Sequence, residues 1–213
     1  MSETQQQLLK ATTFLACFGT PAFVFWLPDA QRLNQALRKT ILAREAAQTG
    51  LTNSNVGGWH SGRDFADWGG PALEELLNIA KGFANQITLD RQGRRAHPAW
   101  RVECWANVNR RGHANKRHSH PGCFLSGSYY VDVGEAGLTP HCGGRFRFHD
   151  PRAAASTLTP ATAEAAENRP DIRPEAGMML LFPSWMPHSV ERYDGAGTRI
   201  SIAFNLALAG DRR

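Results

Sequence analysis

The hydrophobic pattern of this chain changes from a helical period to a strand period near residue 96, and that change limits the folds it can adopt. In the first part, apolar residues recur every three or four positions over residues 30–48 and again over residues 72–87. This spacing places them along one face of a helix, and Gly50 follows the first stretch as a helix stop. The sequence therefore predicts helices from Ala30 to Gln48 and from Ala72 to Ile87.

The segment between these helices is predicted to be an ordered loop. Residues 52–70 are rich in Gly, Asn and Ser, but they also hold Trp59 and Trp68. Flexible linkers rarely keep two tryptophans, because such large rings gain most from burial. Together with His60, these rings either line the entrance to a substrate site or pack in the core, and the sequence leaves both readings open.

The second part of the chain consists of short segments with strand patterns, separated by Gly and Pro. Several such segments in succession favour a β-sandwich or a barrel. Residues 153–170 are rich in Ala, Thr and Pro and are predicted to be a surface loop, in which a short helix could form. The predicted strands are Trp100–Val108, Phe124–Val133, Gly144–Phe148, Met178–Phe182 and Arg199–Leu208.

Size and composition exclude several classes of protein. The 213 residues are 42% apolar and 20% charged, so the chain can bury a core and is neither disordered nor fibrous. No apolar run approaches the roughly 20 residues that span a bilayer, and residues 1–10 lack the basic and then apolar plan of a signal peptide. We expect a soluble, cytoplasmic protein with a single domain, residues 1–213. The sequence leaves a homodimer open.

The charge balance is mildly basic. Lys and Arg number 24 against 19 Asp and Glu, which gives a net charge of +5. Such a balance suits an anionic small ligand as well as nucleic acid. The basic run at residues 109–117 is either a solvated loop or an attractor for an acidic substrate, and no segment resembles a nucleic-acid reader. We therefore expect a small-molecule or peptide substrate rather than nucleic acid.

Two of the eight histidines, His118 and His120, form an H-x-H pair. Alternate residues of a strand point to the same face, so both imidazoles can reach one metal ion without distorting the backbone. The same pair is also compatible with two solvated histidines at a polar strand end. It is therefore a candidate metal site that needs support from the rest of the chain.

Two further elements supply that support. The apolar run at residues 178–182 leads into a Pro-rich turn that presents His188, and Arg199 and Ser201 follow on the next predicted strand. Arg199 and Ser201 share a face of that strand, where a guanidinium beside a hydroxyl suits a bound carboxylate. Taken singly, His188 could be a hydrogen-bonded strand end and Arg199 a surface residue. Their order along the chain favours a metal site, beside which Arg199 and Ser201 could hold the carboxylate of a bound molecule.

Residues 99–206 resemble the iron- and 2-oxoglutarate-dependent dioxygenases, whose fold is a double-stranded β-helix, or jelly roll. That family places H-x-D or H-x-E on an early strand, a second metal-binding His farther on, and an Arg or Lys shortly after it. The resemblance implies that His118 and His188 bind Fe(II) and that Arg199 with Ser201 holds the far carboxylate of 2-oxoglutarate. Five motifs are similar to a subgroup of uncharacterised bacterial and phage members: Ser54–Trp59, His118–Pro121, Leu125–Tyr130, Phe182–Trp185 and Arg199–Asn205.

The resemblance also implies an architecture and an activity. The fold class would be mainly β (α+β), with a jelly-roll core at residues 97–208 and the helices of residues 1–96 packed against it as an integral part. The activity would be that of a dioxygenase of the hydroxylase type, with Fe(II), the co-substrate 2-oxoglutarate and an unspecified substrate. Tyr130 and Asn107 lie on strands that flank the pocket and are candidates to hydrogen-bond the keto acid, as is Tyr129.

One residue departs from the family pattern, because His120 stands where the family has a carboxylate. Three neutral imidazoles leave a divalent ion with its full charge, which a dianionic keto acid can neutralise. Imidazole suits Zn, Cu and Ni as well as Fe, so this ligand set selects iron less firmly. Asp150 is an alternative carboxylate ligand, although Asp-Pro after a strand is ordinarily a turn.

Two alternative functions stay open. The histidines also fit part of the cupin pattern, in which the protein would be a three-histidine metalloenzyme that does not use 2-oxoglutarate. In that pattern Phe124 or Leu125 stands where a metal-binding Glu is expected, and Trp185 replaces the usual Gly. The other alternative is a catalytically inactive metal-binding module. Arg199 separates the readings, because only a 2-oxoglutarate enzyme needs a carboxylate anchor there.

Overall fold

The computed structural model describes residues 19–136, 141–152 and 171–209. Within these residues, two antiparallel β-sheets face each other, and helices cover the outer face of one sheet. The helices are α1 (Ala30–Ala47), α2 (Phe65–Trp68) and α3 (Gly70–Ile87). The strands are β1 (Phe23–Trp26), β2 (Asn55–Val56), β3 (Trp59–His60), β4 (Trp100–Asn109), β5 (Ala114–His118), β6 (Leu125–Asp132), β7 (Phe146–Phe148), β8 (Asp171–Ile172), β9 (Met178–Pro183), β10 (His188–Val190) and β11 (Arg199–Leu208).

The strands form a jelly roll. The larger sheet has the order β1-β9-β6-β11-β4-β3, and the smaller sheet has the order β2-β5-β10-β7-β8. All paired strands within these sheets are antiparallel. The central pair of the larger sheet, β4 and β11, stays in register from Trp100 opposite Leu208 to Asn109 opposite Arg199. Two packed antiparallel sheets whose strands alternate between them along the chain are the arrangement that the family resemblance implies.

The side chains of the larger sheet alternate between two faces. On β6, Tyr129 faces the helix layer, where its hydroxyl donates to Oδ1 of Asn34 at 2.6 Å, whereas Tyr130 lies in the apolar cluster between the sheets. On β11 the same alternation places the isoleucines in the helix-side cluster and places Arg199 and Ser201 on the cavity between the sheets. Because alternate side chains point to opposite faces, one face of the larger sheet packs against the helices and the other lines a cavity that can hold a site.

The two long helices bury their apolar faces against the larger sheet. α1 buries Leu33, Leu37 and Ile41 at helical spacing, and α3 buries Leu73 and Leu76 among others. Each leucine that leaves water in this way stabilises the fold by roughly 1.5–3 kcal/mol. The buried residues of both helices belong to one apolar cluster with those of the sheet. No helix in the described ranges is long and apolar enough to cross a membrane.

The main sequence predictions for the fold are confirmed. The fold is mainly β, and both predicted helices are present, although the first ends at Ala47 rather than Gln48 and the second begins at Gly70 rather than Ala72. The second helix starts early because a proline occupies its first turn. The N–H that proline lacks would have no partner within the helix at this position. The five predicted strands are present as β4, β6, β7, β9 and β11. The predicted loop at residues 153–170 lies outside the described residues.

The prediction of a loop over residues 52–70 is wrong in detail, because this segment holds β2, β3 and α2. β2 and β3 have two residues each, too few for any periodicity to appear. Their backbone pairing with β5 and β4 stabilises them instead. The sequence pattern also fails to predict β1, β5, β8 and β10, which are short as well.

Candidate metal centre

Three histidines meet between the two sheets, where β5 ends and β10 begins. His118 closes β5, His188 opens β10, and the two are cross-strand partners. His120 follows β5, and its backbone N–H donates to the carbonyl of Ser184 at 2.9 Å. One ligand atom of each histidine lies within 4.8 Å of those of the other two, so small side-chain movements would bring all three onto one ion. The structure thus brings together the three histidines that the sequence singles out.

Hydrogen bonds to backbone carbonyls set the tautomers of two of these rings. Nδ1 of His118 lies 2.7 Å from the carbonyl oxygen of Lys116, and Nδ1 of His188 lies 2.9 Å from that of Met186. A carbonyl oxygen only accepts, so each Nδ1 carries the proton and donates it. The lone pair of Nε2 is then available on both rings, which is the state that binds a metal ion.

Burial keeps the three rings neutral. It lowers the pKa of His188 to about 3 and the pKa of His120 to about 4, and it also lowers the pKa of His118. The charge of a protonated neighbour disfavours a second imidazolium and lowers the pKa of His120 and His188 further. Two aromatic rings enclose His188, because Phe146 stacks on it at 5.2 Å and Phe182 meets it edge-on at 4.9 Å. At neutral pH the cluster therefore offers unprotonated nitrogen ligands.

Within the described ranges, the metal-ligand cluster contains histidines alone. Asp150, the alternative ligand suggested by the sequence, is bound instead by Arg152, whose backbone N–H and guanidinium donate to it at 2.7–3.0 Å. The Arg152 guanidinium lowers the pKa of Asp150 to about 2. Asp150 therefore occupies the turn after β7, as expected for Asp-Pro, and His120 takes the third place in the cluster.

Arg199 is buried in the same cavity as the histidines and lacks a carboxylate partner. The residue is only 1% exposed, and no ion pair joins it to an acidic side chain in the described part of the chain. Its Nη1 lies 3.5 Å from Oγ of Ser201, its guanidinium lies 5.2 Å from the centre of the Tyr130 ring, and Nε and Nη2 have no hydrogen-bond partner. An unpaired buried charge costs several kcal/mol, roughly 3–5 in measured cases. An anion bound beside Arg199 would remove this cost.

The other residues suggested for the co-substrate divide between the two faces of the sheet. Asn107 lines the cavity with Arg199 and lies directly opposite Ser201 across β4 and β11. Tyr130 is fully buried beside Arg199, its hydroxyl has no partner, and burial raises its pKa. Tyr129 faces α1 instead, so its suggested contact with the keto acid is wrong.

Sequence reasoning missed Trp105 as a neighbour of the centre. Its ring lies 5.5 Å from the ring of His120, and His60 stacks on Trp105 at 5.6 Å with 11° between the ring planes. Trp59 and Trp68 belong to the helix-side cluster, so only His60 of the aromatic residues in the 52–70 segment lies near the centre. Trp105 stands two residues before Asn107 on β4, and the period of two would have placed it on the cavity face.

The sequence of the β core matches a known family. Residues 103–205 match the family described as "Putative 2OG-Fe(II) oxygenase". This segment contains the three histidines as well as Arg199, Ser201, Tyr130 and Asn107. No curated protein matches the sequence.

Several solved structures share the fold of this chain. A prolyl-4-hydroxylase from Pseudomonas putida has a TM-score of 0.62 at 19% identity, over 90% of this chain and 94% of that one. A prolyl hydroxylase from Trichoplax adhaerens, in complex with a hypoxia inducible factor peptide fragment, has a TM-score of 0.63 at 15% identity, over 87% and 83% of the two chains. HygX from Streptomyces hygroscopicus, with nickel, 2-oxoglutarate and hygromycin B bound, has a TM-score of 0.59 at 12% identity, over 99% and 88%. At these identities the likeness establishes the jelly-roll fold.

Proposed function

From the match of residues 103–205 to the 2OG-Fe(II) oxygenase family, we propose that this protein is a non-haem Fe(II)- and 2-oxoglutarate-dependent dioxygenase of the hydroxylase type. In this proposal His118, His120 and His188 hold the metal ion, and Arg199 with Ser201 holds the far carboxylate of 2-oxoglutarate. The location of both groups on one cavity of the jelly roll supports it. The substrate is a small molecule or a peptide.

The observation that carries this proposal is the buried, unpaired charge of Arg199. Nε and Nη2, the two donors without partners, form one edge of the guanidinium, so a single carboxylate can accept from both. The Ser201 hydroxyl accepts from Nη1, the third nitrogen, at 3.5 Å and so helps to orient the guanidinium. A ligand that carries a carboxylate would therefore remove the cost of burying this charge.

The donor set of the centre also fits a divalent ion together with a doubly charged keto acid. Three neutral imidazoles leave the charge of the ion uncompensated, and 2-oxoglutarate would bring two negative charges. When bound, iron supplies the activation of dioxygen that couples decarboxylation of 2-oxoglutarate to hydroxylation of a C–H bond. The chain itself holds the imidazoles in the neutral state, orients the keto acid through Arg199, and keeps water away from His188 with Phe146 and Phe182.

An anaerobic titration of the Fe(II)-loaded protein with 2-oxoglutarate tests the proposal, followed by the visible charge-transfer absorption of the chelated keto acid. We expect a saturable band in the wild type and its loss in Arg199→Met, with iron binding unchanged. Arg147→Met is the matched control, because Arg147 lies on the smaller sheet and is paired with Asp171 and Glu191. That variant should keep the band. Iron binding without a band in the wild type would contradict the assigned co-substrate.

The all-imidazole ligand set of the described residues favours a second candidate, a cupin-like three-histidine metalloenzyme that does not use 2-oxoglutarate. Iron binding without a charge-transfer band supports that candidate. A catalytically inactive metal-binding module is the third reading. It predicts that no compound elicits succinate release and that keto acids leave the melting temperature unchanged.

A further inference from the structure

His120 borders a second cavity in addition to the one that contains Arg199. We refer to this second cavity as the His120 groove. Because His120 lines both cavities, a molecule in the groove lies next to the candidate metal centre. Besides His120, the residues of the groove that carry the following argument are Arg63, Arg101, Glu103, Ser119, Cys123 and Asn205.

The His120 groove carries more positive than negative charge. Arg63 and Arg101 share one carboxylate, that of Glu103, at 3.4 and 3.6 Å. Charge-assisted bonds of this kind are usually about 2.7–2.9 Å long, and Arg110 reaches Glu45 at 2.6 Å elsewhere in the structure. The side chains of Arg63 and Arg101 are 67% and 59% exposed. Two guanidinium groups held loosely by one carboxylate leave one positive charge available to a ligand.

The neutral polar groups of the groove add hydrogen-bond donors. Asn205 is 4% exposed, and its Oδ1 accepts from Oγ of Ser126 at 2.7 Å. Asn205 can therefore offer a ligand mainly the N–H donors of its amide. The hydroxyl of Ser119 can donate as well. Guanidinium, amide and hydroxyl donors around one groove match an oxyanion and disfavour a cation.

We propose that the His120 groove binds an anionic group of the substrate, a carboxylate or a phosphate, and that Arg63 is the specificity-determining residue that recognises it. The inference rests on the proposed function, because it takes the molecule beside the metal centre to be the substrate. Arg63 stands three residues after His60, and His60 stacks on Trp105, whose ring lies beside that of His120.

The thiol of Cys123 can report the charge of the groove, because Cys123 lines it and is partly exposed. The protein, loaded with Zn(II) to prevent turnover, is alkylated with anionic iodoacetate or with neutral iodoacetamide, and mass spectrometry quantifies the modified Cys123 peptide. A synthetic peptide of residues 119–126 gives the reference ratio of the two rates. We expect a ratio about threefold above the reference at low salt, the effect of one unit charge at roughly 6 Å in water. High salt should return the ratio toward the reference.

Variants then assign the effect to Arg63. Arg63→Gln should bring the ratio down to the reference, whereas the control Arg32→Gln should not change it, because Arg32 pairs with Glu75 on the helix layer. Inorganic phosphate and acetate, added separately, should slow alkylation by the neutral reagent, and the more protective anion identifies the group that the groove prefers.

A wild-type ratio at Cys123 equal to or below that of the peptide would overturn the proposal, and so would protection by neither anion. The measurement requires neither iron nor 2-oxoglutarate. Its failure would therefore leave the charge-transfer test of the proposed function unaffected, and the two failures can be told apart.

Discussion

His118 and His188 occupy the same register on β5 and β10, and their ring centroids lie 4.4 Å apart. Each ring is oriented by the same local contact, in which Nδ1–H donates to the carbonyl two residues earlier, at Lys116 or Met186. Sheet pairing sets the distance between the rings, and the local bonds set their tautomers. Both rings thus hold the tautomer that binds a metal ion before any ion is present, which lowers the cost of binding.

We expect Arg199→Met to stabilise the protein in the absence of ligand. The substitution removes a buried charge that has no carboxylate partner and replaces it with an apolar chain of similar length. The free energy of unfolding should rise by about 1–4 kcal/mol, measured by urea titration of the metal-free protein. The wild type should gain stability from saturating 2-oxoglutarate in the presence of Zn(II), about 2.7 kcal/mol at one hundred times the dissociation constant. The variant should gain none.

Arg147→Met should change the free energy of unfolding in the opposite direction. Arg147 is paired with Asp171 and Glu191, so its removal should destabilise the protein and leave the response to 2-oxoglutarate intact. A loss of stability in Arg199→Met comparable to that in Arg147→Met would show that Arg199 is stabilising in the free protein, and the argument from its unpaired charge would fail.

Tyr129 and Tyr130 are adjacent in sequence but face opposite sides of the sheet, which makes their phenylalanine variants a matched pair. Tyr129→Phe removes a hydrogen bond to Asn34 and should lower the free energy of unfolding by about 0.5–1.5 kcal/mol. Tyr130→Phe removes a hydroxyl without a partner beside Arg199 and should leave stability nearly unchanged. It should instead weaken 2-oxoglutarate binding about two- to tenfold. Urea titration and anaerobic 2-oxoglutarate titration of both variants measure the two effects, and equal effects of both would contradict the assignment of faces.

The elements that sequence analysis predicted are those with enough residues to show a period. β4 and β11 have ten residues each, and α1 and α3 have eighteen each, so their apolar spacing is visible in the sequence. β2, β3 and β8 have two residues each. Their existence depends on backbone pairing with strands distant in sequence, and no local pattern contains that information.

A similar limit applies to the site. His118, His120, His188 and Arg199 stand out in the sequence because their residue types and their order along the chain suggest one chemistry. Arg63 does not, since an exposed arginine in a Gly-rich segment looks like any solvated charge. The pairing of β3 with β4 and the backbone bond from Ser61 to Ala106 bring the segment that precedes Arg63 alongside the strand that carries Trp105. The His120 groove therefore forms by the pairing of segments that are distant in sequence, and no local pattern predicts it.

The buried histidines predict that stability falls in mild acid. Burial lowers the pKa of His188 to about 3 and of His120 to about 4, whereas imidazole in an unfolded chain titrates near ~6.5. Below that pH the unfolded state binds protons that the folded state does not, so the stabilisation present above pH ~6.5 is lost as the pH falls toward 4 and then 3. His188 alone should contribute a slope of up to about 1.4 kcal/mol per pH unit in the metal-free protein.

Urea titrations between about pH 4.5 and 6.5 measure this slope. His188→Gln, which keeps a polar group but cannot take up a proton in this range, should reduce it. His141→Gln is the control, because His141 is exposed. An unchanged slope in His188→Gln would mean that His188 does not titrate differently in the folded and unfolded states, and the neutral state assigned to its ring would be wrong.

His120 is the position at which this chain departs from the family pattern. His120→Asp introduces a carboxylate between the two imidazoles that stay, which is the ligand set typical of non-haem Fe(II) oxygenases. We expect the affinity for Fe(II) relative to Cu(II) to rise, because a carboxylate is a harder ligand than imidazole. The affinity of the metal-loaded protein for 2-oxoglutarate should fall, since the carboxylate cancels one positive charge that would otherwise attract the dianion.

His120→Ala distinguishes the effect of the new carboxylate on metal binding from the effect of losing the imidazole. Removing one of three ligands should weaken binding of every divalent ion by more than about tenfold, or 1.4 kcal/mol, without restoring a preference for Fe(II). Competition titrations with Fe(II) and Cu(II) under anaerobic conditions compare the three proteins. If both variants change the Fe(II) to Cu(II) ratio equally, His120 does not ligate the ion, and the centre rests on the cross-strand pair of His118 and His188 alone.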